Sequence, residues 1–261
     1  MNIYEVFSNE TPNQTKVKHN NSTIVMTMNE CKQEIDSEVP NWGPKSMPKR
    51  VTIVGKTCVL EPLDLEVHGQ GLYDAYNLVG DARLWTYLPF GPFADLQSFK
   101  DLWNKMQDET NDIHFAIVDI KTKKPVGQFA IKTPDNINGI AEAGYVTFSP
   151  LLQRTKMSTE AHYLLAKYVF EDLQYRRYQW QCFVHNYPSK AAAERLGFLY
   201  EGTLRQTAVI KGRNKSAHWF SIIDDEWPIC REAFERWLDD SNFDEDGMQR
   251  FRLQDIRNSL V

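Results

Sequence analysis

The chain has 261 residues, 42% hydrophobic and 25% charged, enough apolar material for one large core or two small ones. Its formal net charge of -5 lacks the basic excess of a general nucleic-acid binder. No apolar run approaches the roughly 20 residues a membrane helix needs, so neither nucleic acid nor a membrane is expected as a partner.

Cys31, Cys58, Cys182 and Cys230 stand far apart with no C-x-x-C pair and read as reduced thiols of a cytoplasmic protein. The stretch Met1 to Phe7 lacks a basic, then apolar, leader pattern, so no signal peptide is expected. Residues 1–45 are rich in Asn, Thr, Ser and Lys without a sustained period. They read as a flexible extension whose apolar patch is Ile24-Val25-Met26. Residues 46–261 carry the domain.

Val51 to Val54 and Thr57 to Leu60 are β-prone runs around Gly55 and Lys56, a hairpin. Leu63 to Val79 and Asp95 to Gln107 read as helices, separated by the aromatic, Pro- and Gly-bearing loop Leu84 to Phe93. Strands are expected over His114 to Ile120 and Val126 to Ile131, then, after a turn from Thr133 to Gly139, over Ile140 to Phe148. Ala161, Leu164, Leu165, Tyr168 and Val169 form one helical stripe. Arg177 to Val184 is a strand, and Pro188 to Arg195 a short helix with Gly197 just past its end.

Phe198 to Ile210 and Ala217 to Ile223 are strands around a solvated tip, Lys211 to Lys215. A last helix, Trp227 to Leu238, leads into an acidic tail that includes Asp239, Asp240, Asp244, Glu245 and Asp246. Strands and helices mixed around an antiparallel meander make the fold class α+β.

The chemistry concentrates in residues 140–202. The strand from Ile140 runs into the loop Leu152 to Thr159, which opens the amphipathic helix. Free N–H groups and the helix dipole suit an anion there. Arg154 and Lys156 add charge of the sign a pyrophosphate needs, although a merely solvated basic loop has the same composition. Gln153-x-x-x-x-Ser158 followed by Thr159-Glu160-Ala161 resembles the acyl-CoA loop of the GNAT superfamily of N-acetyltransferases, with Lys156 where the superfamily has glycine.

Asn186, Ser189, Leu196-Gly197-Phe198 and Gly202 resemble the branch of that superfamily that acetylates ribosomal-protein N-termini. So do Tyr145 to Phe148, Arg176-Arg177, Trp180, Lys211 to Asn214 and Trp219 to Ser221. The likeness implies a single mixed, mostly antiparallel sheet, splayed between two central strands and flanked by helices. Acetyl-CoA would be the co-substrate lodged in that opening. The likeness assigns the amides of Tyr145, Val146, Thr147 and Phe148 to the pantetheine and thioester. It gives Gln153, Arg154, Thr155, Lys156, Met157, Ser158 and Thr159 to the pyrophosphate, and Asn186 to the pantetheine arm.

Acetyl transfer to a primary amine requires removal of the amine's proton, a donor for the oxyanion, and a partner for the leaving sulfur. Glu142 stands where the branch's proposed base does; otherwise it is an outward residue of an alternating strand. A strand N–H near Val146 is the oxyanion donor. Ser189, resembling the branch's serine, would hydrogen-bond the sulfur; otherwise it is a polar residue of an early helical turn. The tyrosine that many superfamily members hold three residues before Leu196 is Ala193 here.

Trp85, Tyr87, Phe90 and Phe93 are packing residues or, because such loops flank the acceptor in the family, a substrate cage. His114, His162 and His185 show no metal-ligand spacing, and no metal is expected. The acceptor is a protein or peptide N-terminus or a small amine. The rival reading is a CoA-binding module without turnover, with Lys156 as its signal.

Overall fold

The computed structural model describes residues 6–8, 14–19 and 22–261, which divide into compact units at 1–43 and 44–261. In the first unit, β1 (Val6–Ser8), β2 (Gln14–His19), β3 (Ser22–Met28) and β4 (Glu34–Ile35) pair antiparallel in chain order. The expected flexible extension lies partly outside the described residues. Its described stretches are strands, with Ile24, Val25 and Met26 inside β3. β-branched Thr15, Val17, Thr23, Ile24, Val25 and Thr27 favour that conformation amid a polar composition.

The second unit holds a sheet in the order β11-β12-β10-β9-β8-β7-β6-β5. Its strands are β5 (Ile53–Val54), β6 (Cys58–Pro62), β7 (Ile113–Asp119), β8 (Pro125–Asp135), β9 (Ile140–Phe148), β10 (Arg177–Phe183), β11 (Leu199–Ile210) and β12 (Arg213–Ile223). Every pairing is antiparallel except that of β9 with β10. The mixed, mostly antiparallel sheet is thus as expected.

Side-chain alternation divides the core between the two faces. Phe115 and Ile117 of β7 join α3 (Lys156–Lys167) and α5 (Trp227–Leu238) in one cluster. Ala116 and Val118 join α1 (Leu65–Tyr76) and α2 (Leu96–Glu109) in the other.

The segment entering this unit is tied to it. The Lys45 N–H donates to Asn136 O at 2.8 Å, and the Lys49 N–H to the Tyr168 hydroxyl at 3.0 Å. A chain beginning at Pro44 is therefore expected to melt in one cooperative transition near the full-length temperature. Scanning calorimetry of both lengths checks it, and loss of cooperativity would assign residues 1–43 to the folding unit.

The β5–β6 hairpin is held from α3. Buried Glu160 accepts from the N–H groups of Lys56 (2.6 Å), Thr57 (2.7 Å) and Cys58 (3.2 Å), and from the Thr57 hydroxyl. A Cβ at Gly55 would lie 2.8 Å from the Glu160 carboxyl carbon, so only glycine allows this approach. Burial, then Glu160, pushes the Cys58 thiol far above its usual range. Glu160→Ala strands several donors at once and should cost about 3 kcal/mol of stability. Urea denaturation measures it.

Three segments depart from expectation. β8 runs through Asp135 and shortens the turn, while Asp135 Oδ1 accepts from the N–H groups of Ile137 and Asn138 at 3.0 Å each. β12 begins at Arg213, so the last hairpin turns on Lys211 and Gly212 alone, at φ +51° and +69°. Such a left-handed pair matches the strand twist.

The acidic tail folds back. Asp239 caps a 3-10 turn (Asp240–Asn242), and buried Asn242 binds the carbonyls of Trp237 (3.1 Å) and Phe251 (3.2 Å). Fully buried Leu253 then anchors α6 (Leu253–Asn258).

Candidate active site

β9 and β10 pair only from Ile140–Ala143 with Arg177–Trp180. Beyond that point Gln181 to Phe183 stay with β12, and β9 stays with β8. A wedge therefore opens between the two parallel strands. At its start β9 bulges: Gly144 faces Ala130 and Thr147 faces Gln128, leaving Tyr145 and Val146 opposite Phe129. Tyr145 takes φ +51°. Among the described residues, neither Tyr145 nor Val146 has a register partner on β8 or β10.

Ala141 and Ala143 belong to the α3-side core, so Glu142 between them points to the α1–α2 face. It is 5% exposed, and Lys132 Nζ donates to its Oε1 at 3.2 Å. Burial raises the Glu142 carboxyl above its ordinary value, Lys132 counteracts, and Asp112 adds to the rise.

Beside it, the Tyr145 ring stacks on His114 (5.5 Å, 17°) and meets Trp103 (6.0 Å) and Phe90 (6.2 Å). Burial first, then the bonded Asp112 carboxylate, pushes the Tyr145 hydroxyl up to about 12. Burial drives His114 down to about 4, a neutral imidazole at working pH. Trp85 is buried in edge-on contact with Tyr76, Phe90 and Phe93, so the aromatic loop is packing first, with Phe90 reaching the site.

On the other face stands α4 (Tyr187–Leu196), capped by Asn186, whose Oδ1 accepts from the Ser189 N–H at 3.3 Å. Gly197 ends the helix at φ +109°, where a Cβ would lie 2.9 Å from Cys230 Sγ. Ser189 Oγ accepts from Trp180 Nε1 at 3.0 Å, leaving its own hydrogen to donate. Trp180 is the β10 residue paired with Ala143, the last of the parallel register. Ser189 and Glu142 thus flank the mouth of the wedge from opposite faces. Near that mouth the His162 ring lies 5.3 Å from Phe148 and 5.1 Å from Trp180, and burial drives it down to about 3.

The loop from Gln153 to Thr159 is built by its own side chains. Gln153 Nε2 donates to Phe148 O at 2.7 Å. Thr155 caps α3, accepting from the Ser158 N–H at 3.1 Å and donating to Leu152 O at 2.7 Å. Ser158 Oγ donates to Thr155 O at 2.7 Å, and Met157 packs half-buried on the core. Buried Thr159 accepts from Arg195 Nη1 at 3.0 Å, joining the start of α3 to the last turn of α4.

Arg154 is exposed and takes the left-handed turn at φ +60°. Lys156 is already helical, so the position where glycine was expected needs no positive φ. Its ammonium does not face the loop as a phosphate partner would: it donates to Asp240 Oδ1 at 2.7 Å and sits 4.2 Å from the centre of the Phe243 ring.

A family model described as an acetyltransferase (GNAT) domain matches residues 59–199. The chain belongs to the GNAT acetyltransferase family. A GCN5-related N-acetyltransferase from Brucella melitensis is 38% identical, with TM-score 0.81 over 84% of this chain and 100% of its own. YdaF of Bacillus subtilis, which bears the name of a ribosomal N-acetyltransferase, is 24% identical over 65% of this chain and 91% of its own. SpeG, a spermidine N-acetyltransferase of Vibrio cholerae, shares the fold at TM-score 0.51 and 18% identity, over 67% of this chain and 98% of its own. The chain is an N-acetyltransferase by family.

In this GNAT domain the sequence-predicted residues fall in three groups: the bulge at Tyr145 to Phe148, the loop at Gln153 to Thr159, and Asn186 with Ser189 on α4. Two of them have part of their capacity spent within the protein. Asn186 Oδ1 caps α4, and the Phe148 carbonyl takes Gln153. Lys132, Asp112, His114 and Trp103 around Glu142 and Tyr145 went unforeseen. Lys132 is the register partner of Glu142, a pairing with no local signal.

Proposed function

We propose that this GNAT enzyme moves the acetyl group of acetyl-CoA to a primary amine by direct attack, without a covalent enzyme intermediate. One observation carries the reading: a buried carboxylate and a free serine hydroxyl stand on opposite faces where β9 and β10 part, with unpaired bulge amides between them. The donor set suits acetyl-CoA. Unclaimed amides at Tyr145 and Val146 meet carbonyl oxygens, and the first turn of α3 presents N–H groups to phosphate. Acetyl-CoA supplies the activated acyl group as its thioester.

Glu142 accepts the proton of the incoming amine, directly or through water, and its raised carboxyl pKa brings it closer to that task. The Val146 N–H side of the bulge stabilises charge growing on the acyl oxygen. Ser189 donates its hydrogen bond to the departing sulfur, and the Asn186 Nδ2, free of the cap, holds the arm of the co-substrate. The acceptor is a protein or peptide N-terminus, in line with the name YdaF bears, with a small amine such as a polyamine as the alternative. Four free cysteines suit the reducing cytoplasm.

The test is incubation of the protein and acetyl-CoA with N-terminal peptides, amino acids and polyamines. Free thiol release and acetylated product are followed together. Release matched by product supports the reading. Tight acetyl-CoA binding with neither would leave a binding module, the second reading that the Lys156 departure raised.

A further inference from the structure

The hairpin tip expected to be solvated is not. Lys211 Nζ donates to the carbonyls of Trp85 (2.8 Å) and Phe90 (3.0 Å), residues of the aromatic loop more than a hundred positions earlier. The hairpin belongs to the far edge of the sheet, beyond β10, and the aromatic loop lies over the near half, beyond β9. The bond therefore spans the wedge.

Followed residue to residue, the contacts close a ring. Tyr145 of β9 meets Phe90 at 6.2 Å, and Phe90 O accepts from Lys211. Lys211 leads into β12, β12 pairs with β10 through Ala217–Phe183, and β10 pairs with β9 through Trp180–Ala143. Glu142 points into the face on which this ring lies.

Two features fit a passage. The left-handed Lys211-Gly212 turn fixes where the lysine emerges. Below it β11 carries a wide bulge, Arg205 to Thr207 against Ser216, beside a cleft of about 950 Å³ lined by Arg205, Gln206, Asn214 and Ser216 among others. An amine reaching Glu142 on this face must thread the ring end-on, with the chain behind it resting against hydrogen-bonding groups. We propose that Lys211 is a specificity-determining residue: by clasping the aromatic loop it admits amines at the end of a slender, unbranched chain and excludes those mounted directly on a bulky body. The proposal rests on the acetyl-transfer reading for its substrate and on the ring for its geometry.

Two measurements on the full chain test it, with Lys211→Met as the broken clasp and Lys211→Arg as the conservative control. The first is hydrogen exchange without ligand. Lys211→Met should raise exchange across residues 84–93 and 205–216 by about tenfold, and Lys211→Arg much less. The second compares three probes: a free Ser-Ala-Ala-Ala peptide, spermidine and aminomethyl-adamantane.

The wild type should favour at least one slender amine over the caged one by about 100-fold in kcat/KM. Lys211→Met should shrink that margin about tenfold by lowering KM for the caged amine while leaving KM for acetyl-CoA unchanged. Unchanged exchange in both segments overturns the clasp by itself. Raised exchange with an unaltered margin overturns the selection. Wild-type protein that turns over none of the three overturns the acetyl-transfer reading, and the selection with it, whatever the exchange shows.

Discussion

Glu142→Gln should lower kcat/KM by about 10²- to 10⁴-fold near neutral pH, the usual yield of a general base. The amide keeps the shape and can still accept from Lys132, but it cannot take a proton. The loss should shrink at alkaline pH, where the amine deprotonates without help. In the wild type the acid limb of the rate–pH profile reports Glu142. Burial holds its carboxyl above the ordinary range, so activity falls as pH drops through that raised value and the base becomes protonated.

Lys132 opposes the rise, with its ammonium 3.2 Å away. Lys132→Met should therefore move the acid limb to higher pH. Rate–pH profiles of the three proteins with a confirmed acceptor decide the matter. A Glu142→Gln enzyme with the wild-type profile would leave positioning as the whole mechanism.

Ser189→Ala should lower kcat by about 10²-fold, with little change in the Kd of acetyl-CoA, because its bond matters as the sulfur gains charge. The structure adds a second consequence. Ser189 Oγ is the acceptor for Trp180 Nε1, and removing it leaves that indole N–H without its partner. The fold should lose about 1 kcal/mol. Single-turnover rates, calorimetric affinity and a denaturation curve separate the effects. Weakened acetyl-CoA binding with an intact kcat would make Ser189 a co-substrate contact only.

Much of the site was legible because it is written locally. The cap at Asn186, Pro188 in the first turn and Gly197 at the end define α4 within a dozen residues, and the stripe from Ala161 places α3. The resemblance of Gln153 to Ser158 pointed to the right loop, although the structure moves its left-handed residue to Arg154 and turns Lys156 to Asp240. The last segment escaped notice because Phe243 and Leu253 are single apolar anchors among charges, with no period to reveal them.

By itself the sequence determined what neighbours along the chain can decide: turn chemistry, caps, the alternation that sends Glu142 away from Ala141 and Ala143, and the motifs of the family. Tertiary structure alone decided which distant groups meet. Register set Lys132 against Glu142, the parting of β9 and β10 made the wedge, and a bond between residues 85 and 211 closed a ring over it. The reason is physical. A hydrogen bond or ion pair between remote residues leaves no periodic trace in composition, because its partners are brought together only when the sheet chooses its order and register.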